Sequence, residues 1–307
     1  MKLSTRSAAT LLLASTALSH PVEKRQAVTD LDILQYALTL EHLENVFYKS
    51  GIEQFTESDF TAAGFSTQYF TNLLYVVADE QDHVELLTSA IAATGATPVA
   101  ACAYDFPFTD PMSFVALASV LEGVGTSAYL GGAGLITSKT YLGVAGSILV
   151  TESIHTSLQR FNLGEIAPAN PYGTALGLNE VYTLAASFIT SCPASNPALP
   201  VKAFPGLTAT QGEPTSQGIS YTFQPASAPP STFFVTFVSG LTTVSVTGTL
   251  EGDMVSTVIP DTIQGQSYAF ITSQNVTGAL LDSDVLFGPA IVEVTPPSPR
   301  IDFGEEK

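Results

Sequence analysis

Two short motifs in the sequence combine side chains that commonly bind metal ions. Glu80 and His83 are three residues apart, and Glu152 and His155 repeat that spacing with another of the chain's four histidines. Residues three apart on a helix project from one face, so each pair can present a carboxylate and an imidazole to one metal ion. Two such pairs predict a dinuclear site, to which two further helices must each contribute a carboxylate.

The two further carboxylates are expected on two other helices. Glu122 lies in a long apolar run, where an unpaired carboxylate would be costly to bury. Glu41 lies on a helical stripe with apolar neighbours, and Glu44, three residues on, is the alternative ligand. Glu41 is preferred because Tyr48 follows it by seven residues, as Tyr129 follows Glu122. We expect both tyrosines to hydrogen-bond ligand carboxylates, and Glu41 and Glu122 to bridge the two ions.

Helical periodicity and capping residues place these side chains on four successive helices. We therefore expect an all-α four-helix bundle with a fifth helix behind it. The predicted helices run from about Thr29 to Gly51, Ser66 to Thr94, Pro111 to the glycines at 131–134, Lys139 to Leu163, and Thr174 to Ser191.

The composition changes at Pro193 to Pro, Ser, Thr and Gly, which predicts a linker over 193–217. Short runs rich in β-branched and aromatic residues follow at 231–238, 241–247, 267–272 and 290–294. They predict a small all-β, sandwich-like domain at 218–295 and a tail at 296–307. Because every proposed ligand precedes the break, the two halves are expected to be separable.

The N-terminus has the pattern of a secretory signal. Residues 1–19 combine basic residues, an apolar run and small residues at a plausible cleavage site, which predicts a signal peptide and a secreted protein, extracellular or in the cell wall. Lys24-Arg25 predicts removal of a short propeptide, 20–25, which leaves the helical bundle at 26–192. Cys102 and Cys192 are the only cysteines, so a secreted chain is expected to join them in a disulfide.

The charge balance limits the partners of the chain. Its formal net charge of −18 argues against nucleic acid, because phosphate binding needs a basic surface. The stretch from Phe114 to Val150 is largely apolar, but Glu122, Lys139 and many glycines favour a buried helix over a membrane span. No membrane partner is expected once the signal is removed.

Four stretches contain most of these residues: Leu40-Glu-His-Leu-Glu-Asn-Val-Phe-Tyr48, Asp79-Glu-Gln-Asp-His83, Cys102-Ala-Tyr-Asp-Phe-Pro107 and Glu152-Ser-Ile-His155. They resemble stretches of one known family, the secreted ferritin-like-domain proteins of fungi and plants, a stress-, desiccation- or sexual-development-related group. The resemblance covers about residues 28–193 and implies a ferritin-like fold. In the wider superfamily, matching residues bind two iron or manganese ions that react with dioxygen or peroxide. The ligands that the resemblance implies are Glu41, Glu80, His83, Glu122, Glu152 and His155.

Two functions of different class follow from this pattern. The first is a dinuclear metal oxidase or catalase-like enzyme, with Tyr48 and Tyr129 as its candidate catalytic residues. The second is a non-enzymatic extracellular protein whose metal is structural or sequestered, with the β domain contacting cell wall or matrix. Mixed carboxylate and imidazole ligands favour iron or manganese, and the residues do not select between these two metals.

Overall fold

The helices begin where the sequence provides capping side chains. The computed structural model describes residues 28–211 and 214–299. Thr29, Thr56, Ser66 and Asp110 each accept a hydrogen bond from the backbone N–H three residues on, which satisfies a donor that the first helical turn leaves free. In the described residues the helices are α1 Asp30–Gln54, α2 Glu57–Ala62, α3 Thr67–Ala93, α4 Pro111–Ala133, α5 Lys139–Asn162 and α6 Leu178–Ala186.

The helical N-terminal region is confirmed, with two local differences from the prediction. The short helix α2 was not expected, although Thr56 and Asp59 form a capping box at its start. The fifth helix is shorter than predicted, since α6 ends at Ala186. The chain then extends as strand β2, Ile189–Ser191, which pairs with β1, Ala103–Tyr104. The predicted signal peptide, the propeptide and residues 300–307 of the predicted tail lie outside the described residues.

Four long helices pack in two pairs around an apolar interior. Helix α1 packs chiefly against α3, and α4 packs chiefly against α5. Phe47, Phe60 and Phe114 are fully buried and form a network of aromatic contacts at one end of the helical region. Helix α4 is long and apolar enough to cross a membrane by length and composition alone, but 61% of its most apolar window is buried inside the protein. It is therefore a core helix of this fold.

The C-terminal region is β-rich, as the sequence predicted, and contains more than one sheet. A five-stranded sheet has the order β4-β11-β10-β6-β7, and a four-stranded sheet has the order β3-β5-β9-β8. Phe223 and Val255 of the smaller sheet share one apolar cluster with Phe237, Ile271 and Val292 of the larger. The strands of these two sheets are β3 Leu207–Ala209, β4 Thr215–Ser216, β5 Ser220–Pro225, β6 Phe234–Ser239, β7 Thr242–Thr247, β8 Thr249–Glu251, β9 Met254–Val258, β10 Gly265–Thr272 and β11 Val285–Thr295.

In this region the observed strands differ from the predicted ones mainly by additional short strands that are more polar. The four predicted runs correspond to β6, β7, β10 and β11, whereas β5, β8 and β9 were not predicted. In β5, the buried residues Tyr221 and Phe223 alternate with polar ones. Strands β3 and β4 lie inside the stretch predicted as a linker. The segment before β3 runs along α6, where the backbone N–H groups of Lys202 and Phe204 donate to side chains of that helix.

The helical and β regions share a buried interface, and the expected separability of the two halves stays a prediction. One apolar cluster combines Val124 and Ala128 of α4 with Tyr268 and Phe270 of β10. At another point, the guanidinium of Arg160 on α5 donates to both carboxylate oxygens of Glu293 on β11, at 2.6 Å each. Such a bidentate pair fixes geometry as well as charge.

The expected disulfide is confirmed. Cys102 and Cys192 are bonded to each other and lie 90 residues apart in the sequence. The bond joins the loop that follows α3 to the segment that follows β2, beside the short pairing of β1 with β2. The disulfide therefore fixes the C-terminal end of the helical region to the loop that follows α3.

The buried pair between the two regions makes a testable contribution to stability. Arg160→Ala leaves the buried carboxylate of Glu293 without its guanidinium, and it also removes the charge 3.5 Å from Glu165. Loss of one partner of a buried pair costs about 3–5 kcal/mol. We expect chemical denaturation to show that loss in the free energy of unfolding. The double variant Arg160→Met with Glu293→Leu should recover much of the lost free energy of unfolding. A loss below about 1 kcal/mol in Arg160→Ala would contradict this prediction, because it would equal the contribution of a weak surface salt bridge.

Candidate metal centre

Six carboxylate and imidazole side chains from four helices converge in the interior of the helical region. All six residues are buried, and the four glutamates have no exposed surface. Buried carboxylates without a counter-charge are strongly unfavourable, so this concentration of acid groups requires cations or protons. The contributing residues are Glu41 of α1, Glu80 and His83 of α3, Glu122 of α4, and Glu152 and His155 of α5.

His83 faces three carboxylates with a single ring nitrogen. Its Nδ1 lies 3.2 Å from Glu41 Oε2, 3.5 Å from Glu80 Oε2 and 3.3 Å from Glu152 Oε1. One nitrogen carries at most one hydrogen, so it cannot donate to three acceptors, and none of these four atoms has a hydrogen-bond partner of good geometry. Neighbouring ligands around an octahedral ion at about 2.1 Å lie roughly 3 Å apart. The spacing therefore fits atoms that share one cation.

His155 likewise faces carboxylates with one ring nitrogen, in the second half of the site. Its Nδ1 lies 3.0 Å from Glu80 Oε1 and 3.4 Å from Glu122 Oε2. Its Nε2 lies 3.2 Å from an oxygen of Asp79, a residue whose side chain is 45% exposed. A carboxylate on the second ring nitrogen fixes the orientation of a ligating imidazole and makes it a better donor to metal.

Two groups of ligand atoms result, and they have two glutamates in common. Glu80 and Glu152 belong to both groups, whereas Glu41 and Glu122 each belong to one. Within each group the ligand atoms lie within 4.8 Å of one another. These buried carboxylate and histidine groups could hold metal ions. The carboxylates common to both groups are those of the two Glu-x-x-His motifs, and the expectation that Glu41 and Glu122 bridge stays a prediction.

The two tyrosines donate hydrogen bonds in a crossed pattern to Glu41 and Glu122, the two glutamates that belong to one ligand group each. We call these two the outer glutamates. Tyr48 of α1 donates to Glu122 Oε1 on α4, and Tyr129 of α4 donates to Glu41 Oε1 on α1. Each of these glutamates therefore keeps its other oxygen, Oε2, for the histidine side of the site. The crossed bonds tie α1 to α4 at the centre of the helical region.

Among the described residues, a buried hydrogen-bonded chain continues from Tyr48 and none continues from Tyr129. The amide of Gln159 donates to the hydroxyl of Tyr48 at 3.1 Å, and its oxygen accepts from the hydroxyl of Tyr69 at 2.6 Å. Burial raises the pKa of Tyr48 well above its ordinary value, and the adjacent charge of Glu122 adds to the effect. The hydroxyl of Tyr48 therefore keeps its proton and stays a donor to Glu122.

Glu44 is buried next to the site but belongs to neither ligand group. A side-chain carbon on Gly125 would lie 2.8 Å from oxygens of both Glu44 and Glu152, so the missing side chain leaves room for both carboxylates. Burial raises the pKa of Glu44 well above its ordinary value, and the charge of Glu152 raises it further. The geometry thus favours Glu41 over Glu44 as a ligand. His42 lies outside the site and contacts the carbonyl of Val99.

Protonation of the remaining acids follows from burial and from the two histidines. Burial raises the pKa of Glu41 to about 7, and it also raises those of Glu122 and Glu152. Burial opposes ionisation of Glu80 as well, but contacts with both histidines hold its pKa at about 2. Burial lowers the pKa of His155, yet the facing carboxylates raise it to about 11. Without metal, the site therefore retains protons in place of cations.

Three residues around the site were not predicted from the sequence. They are Asp79, Gln159 and Tyr69. A signal for Gln159 was present, because it follows His155 by four residues and Glu152 by seven, on the same helical stripe. Asp79 offered no such signal, since it lies outside the buried stripe of α3.

Comparison with known proteins supports a ferritin-like family for the helical region. Residues 29–165 match the family model described as a ferritin-like domain. That range contains all six residues of the two ligand groups.

One curated relative and one solved structure are similar to parts of the chain. Protein rds1 of Schizosaccharomyces pombe is 28% identical over 183 residues, which cover 58% of this chain and 44% of that protein. The match thus spans less than half the length of the relative. A conserved hypothetical protein from Mycobacterium tuberculosis is 17% identical, with a TM-score of 0.37, over 44% of this chain and 91% of its own.

The raised pKa of Glu41 predicts how the metal-free protein responds to pH. Its carboxyl has an ordinary pKa of 4.5 and about 7 in the folded state. An acid that binds its proton more tightly when folded gives stability at low pH, which is lost as the pH rises through that interval. We expect thermal unfolding in chelator to show falling stability between pH 5 and pH 8, by on the order of 3 kcal/mol. The lowered pKa of Glu80 has the opposite effect on stability, but that effect is confined to pH values below 4.5, the ordinary pKa of its carboxyl.

Metal should reverse that slope, because protons and metal ions compete for the same oxygens. With added Mn²⁺, stability should rise over the same interval of pH. Glu41→Gln removes one of the titrating groups and should make the metal-free dependence less steep, while Glu122, Glu152 and His155, whose pKa values are also raised, keep its sign. Rising stability of the metal-free wild type between pH 5 and pH 8 would contradict this description of the site.

Proposed function

We propose that the chain is a dinuclear metal-carboxylate protein that holds two iron or manganese ions and reacts with dioxygen or peroxide. The observation that carries this proposal is the pair Glu80 and Glu152, each of which contributes to both groups of converging ligand atoms. Carboxylates common to two adjacent metal sites are the characteristic feature of dinuclear centres in helical bundles. The alternative with a single ion would leave one group of buried, unpartnered oxygens uncompensated.

The charges of the site fit two divalent ions. Four carboxylates carry four negative charges, two divalent cations carry four positive ones, and neutral imidazoles add none. Mixed oxygen and nitrogen ligands favour iron or manganese among the available metals. Glu41 and His83 would hold one ion, and Glu122 and His155 the other. When bound, such ions supply coordination positions and electrons for dioxygen or peroxide.

The surrounding residues have roles that follow from their contacts. Tyr48 and Tyr129 hold one oxygen of each outer glutamate and leave the second oxygen for metal. The chain from Tyr69 through Gln159 to Tyr48 is a continuous set of buried hydrogen bonds ending at Glu122. We assign it the positioning of the Tyr48 hydroxyl as a donor to Oε1 of that carboxylate.

The cellular setting and the finer architecture belong to the same proposal. Secretion is supported by the pattern of residues 1–19 and by the Cys102–Cys192 disulfide, since such bonds persist in oxidising compartments. A role in a stressed or developing cell rests on the resemblance of the motifs. We further propose that the four long helices form a four-helix bundle, and that the two facing sheets form a β-sandwich available for contact with cell wall or matrix.

Metal analysis of selected variants tests the dinuclear site. Purified protein loaded anaerobically with Fe²⁺ or Mn²⁺ should bind about two ions per chain, as the ligand groups imply. Glu80→Gln should lower the affinity for both ions, because this carboxylate belongs to both groups. His155→Ala should weaken one ion by about 10–100-fold or more and affect the other less.

Glu85→Gln is the matched control for Glu80→Gln. Glu85 is on the same helix, is exposed, and accepts a hydrogen bond from Gln81. It should leave both the stoichiometry and the affinity of the wild type unchanged. Wild-type protein that binds neither metal under these conditions, or equal losses in the Glu80 and Glu85 variants, would refute the proposed centre.

Turnover of oxidant tests the enzymatic part separately. Metal-loaded protein should consume dioxygen or hydrogen peroxide faster than the same concentration of free metal ions. Tyr48→Phe removes the donor to Glu122 and should retain metal but slow the reaction by about 10²-fold, the lower end for loss of a positioned proton donor. Tyr75→Phe is the control, because Tyr75 is 69% exposed on α3. If metal binds but neither oxidant is consumed faster than by free ions, the function is storage or structural support.

A further inference from the structure

An apolar cavity lies inside the helical region, between α1, α3, α4 and α5. Its volume is about 120 Å³, and its wall includes Leu34, Leu87, Ala128, Val144 and Ile148. An apolar cavity of about 150 Å³ in another protein stays free of water and binds benzene. The cavity is therefore of a size that suits a small ring or a short hydrocarbon chain.

The inner end of the cavity reaches the candidate metal centre. Glu44, Gly125 and Tyr129 are part of its wall, and the hydroxyl of Tyr129 donates to Glu41. A side-chain carbon on Gly125 would lie 2.8 Å from oxygens of both Glu44 and Glu152. The glycine thus leaves no side chain between the cavity and the ligand Glu152.

A second apolar cavity adjoins the same place from the other side. It has a volume of about 180 Å³, and Leu40, Glu44 and Gly125 line both cavities. Its remaining wall includes Phe188 after α6 and Ile291 of β11. Space for apolar groups therefore flanks Glu44 on two sides.

The charges of the wall limit what the first cavity can bind. Among the described residues, no lysine, arginine or histidine lines it, whereas Asp30 and Glu44 do. Both oxygens of Asp30 already accept hydrogen bonds from Thr137 and Ser138. A carboxylate or phosphate ligand would lose its hydration and meet Glu44 with no cation to offset it. The wall therefore suits an uncharged molecule.

We propose that this cavity is a binding site for a small, neutral, apolar organic molecule, whose inner end lies beside Glu44 and Glu152. The binding depends on the cavity alone, and only its relevance to the metal centre rests on the proposed function. The hydroxyl of Tyr36 donates to the carbonyl of Leu178, so this ring also presents its apolar part to the cavity. Affinity should come from burial of apolar surface.

Fluorine NMR with two probes of similar shape tests the site. Fluorobenzene should bind to the full chain in the presence of chelator and also after loading with Mn²⁺. The anion 4-fluorobenzoate should bind at least about 10-fold more weakly, because its charge would be buried without a partner. Binding of fluorobenzene by protein that takes up no metal would support the cavity while refuting the proposed metal centre. Absence of fluorobenzene binding would refute the cavity alone.

Two substitutions of the same kind on α5 localise the binding. Val144→Phe places a ring in the cavity and should weaken fluorobenzene binding at least 10-fold. Val150→Phe adds the same ring six residues further on, where the side chain is 60% exposed, and should bind as the wild type does. Ala37→Leu, which narrows the cavity from α1, replaces Val144→Phe if that variant does not fold. Wild-type affinity in the folded cavity variant, or equal binding of 4-fluorobenzoate, would overturn the proposal.

Discussion

Burial of several carboxylates at one point between four helices is the constraint on which the rest of this structure depends. Glu41, Glu80, Glu122 and Glu152 have no exposed surface, and Glu44 is buried beside them. Such a cluster is compatible with a stable fold only if positive charge offsets it, whether from bound metal or from retained protons. The upward pKa shifts of Glu41, Glu122 and Glu152 describe the second state, and the converging ligand atoms fit the first.

The two sides of the centre are similar in their bonds but differ in their surroundings. The crossed donations of Tyr48 and Tyr129 make each outer glutamate depend on the opposite helix. Behind Tyr48 lies a polar chain through Gln159, whereas Tyr129 borders the apolar cavity. On the proposed function, one side therefore holds its outer glutamate through a buried polar chain, and the other side leaves room for an organic molecule.

The sequence predicted the elements that depend on local spacing. It was less informative about features that depend on contacts between helices. The Glu-x-x-His pairs, the cap at Thr29 and the proline start of α4 are local signals, and the structure has the corresponding helices in these places. Which carboxylates the two ligand groups share is not local, because it depends on how α3 and α5 approach across the core. Strands β5 and β9 are about as short as the predicted strands β6 and β7, so length does not set them apart; their burial depends on packing against the larger sheet, which is not a local signal.

The β region also contributes to the geometry of the metal centre. The side chain of Gln266 donates to the carbonyl of Val120, and the hydroxyl of Tyr268 donates to the carbonyl of Gly123. These two backbone groups flank Glu122, so β10 holds the turn of α4 that carries a candidate ligand. A side-chain carbon at position 123 would lie 2.3 Å from the side chain of Gln266, which explains why this position holds a glycine. A sheet that merely anchored the protein elsewhere would not need so close a contact, and the position of Glu122 therefore depends on both regions of the chain.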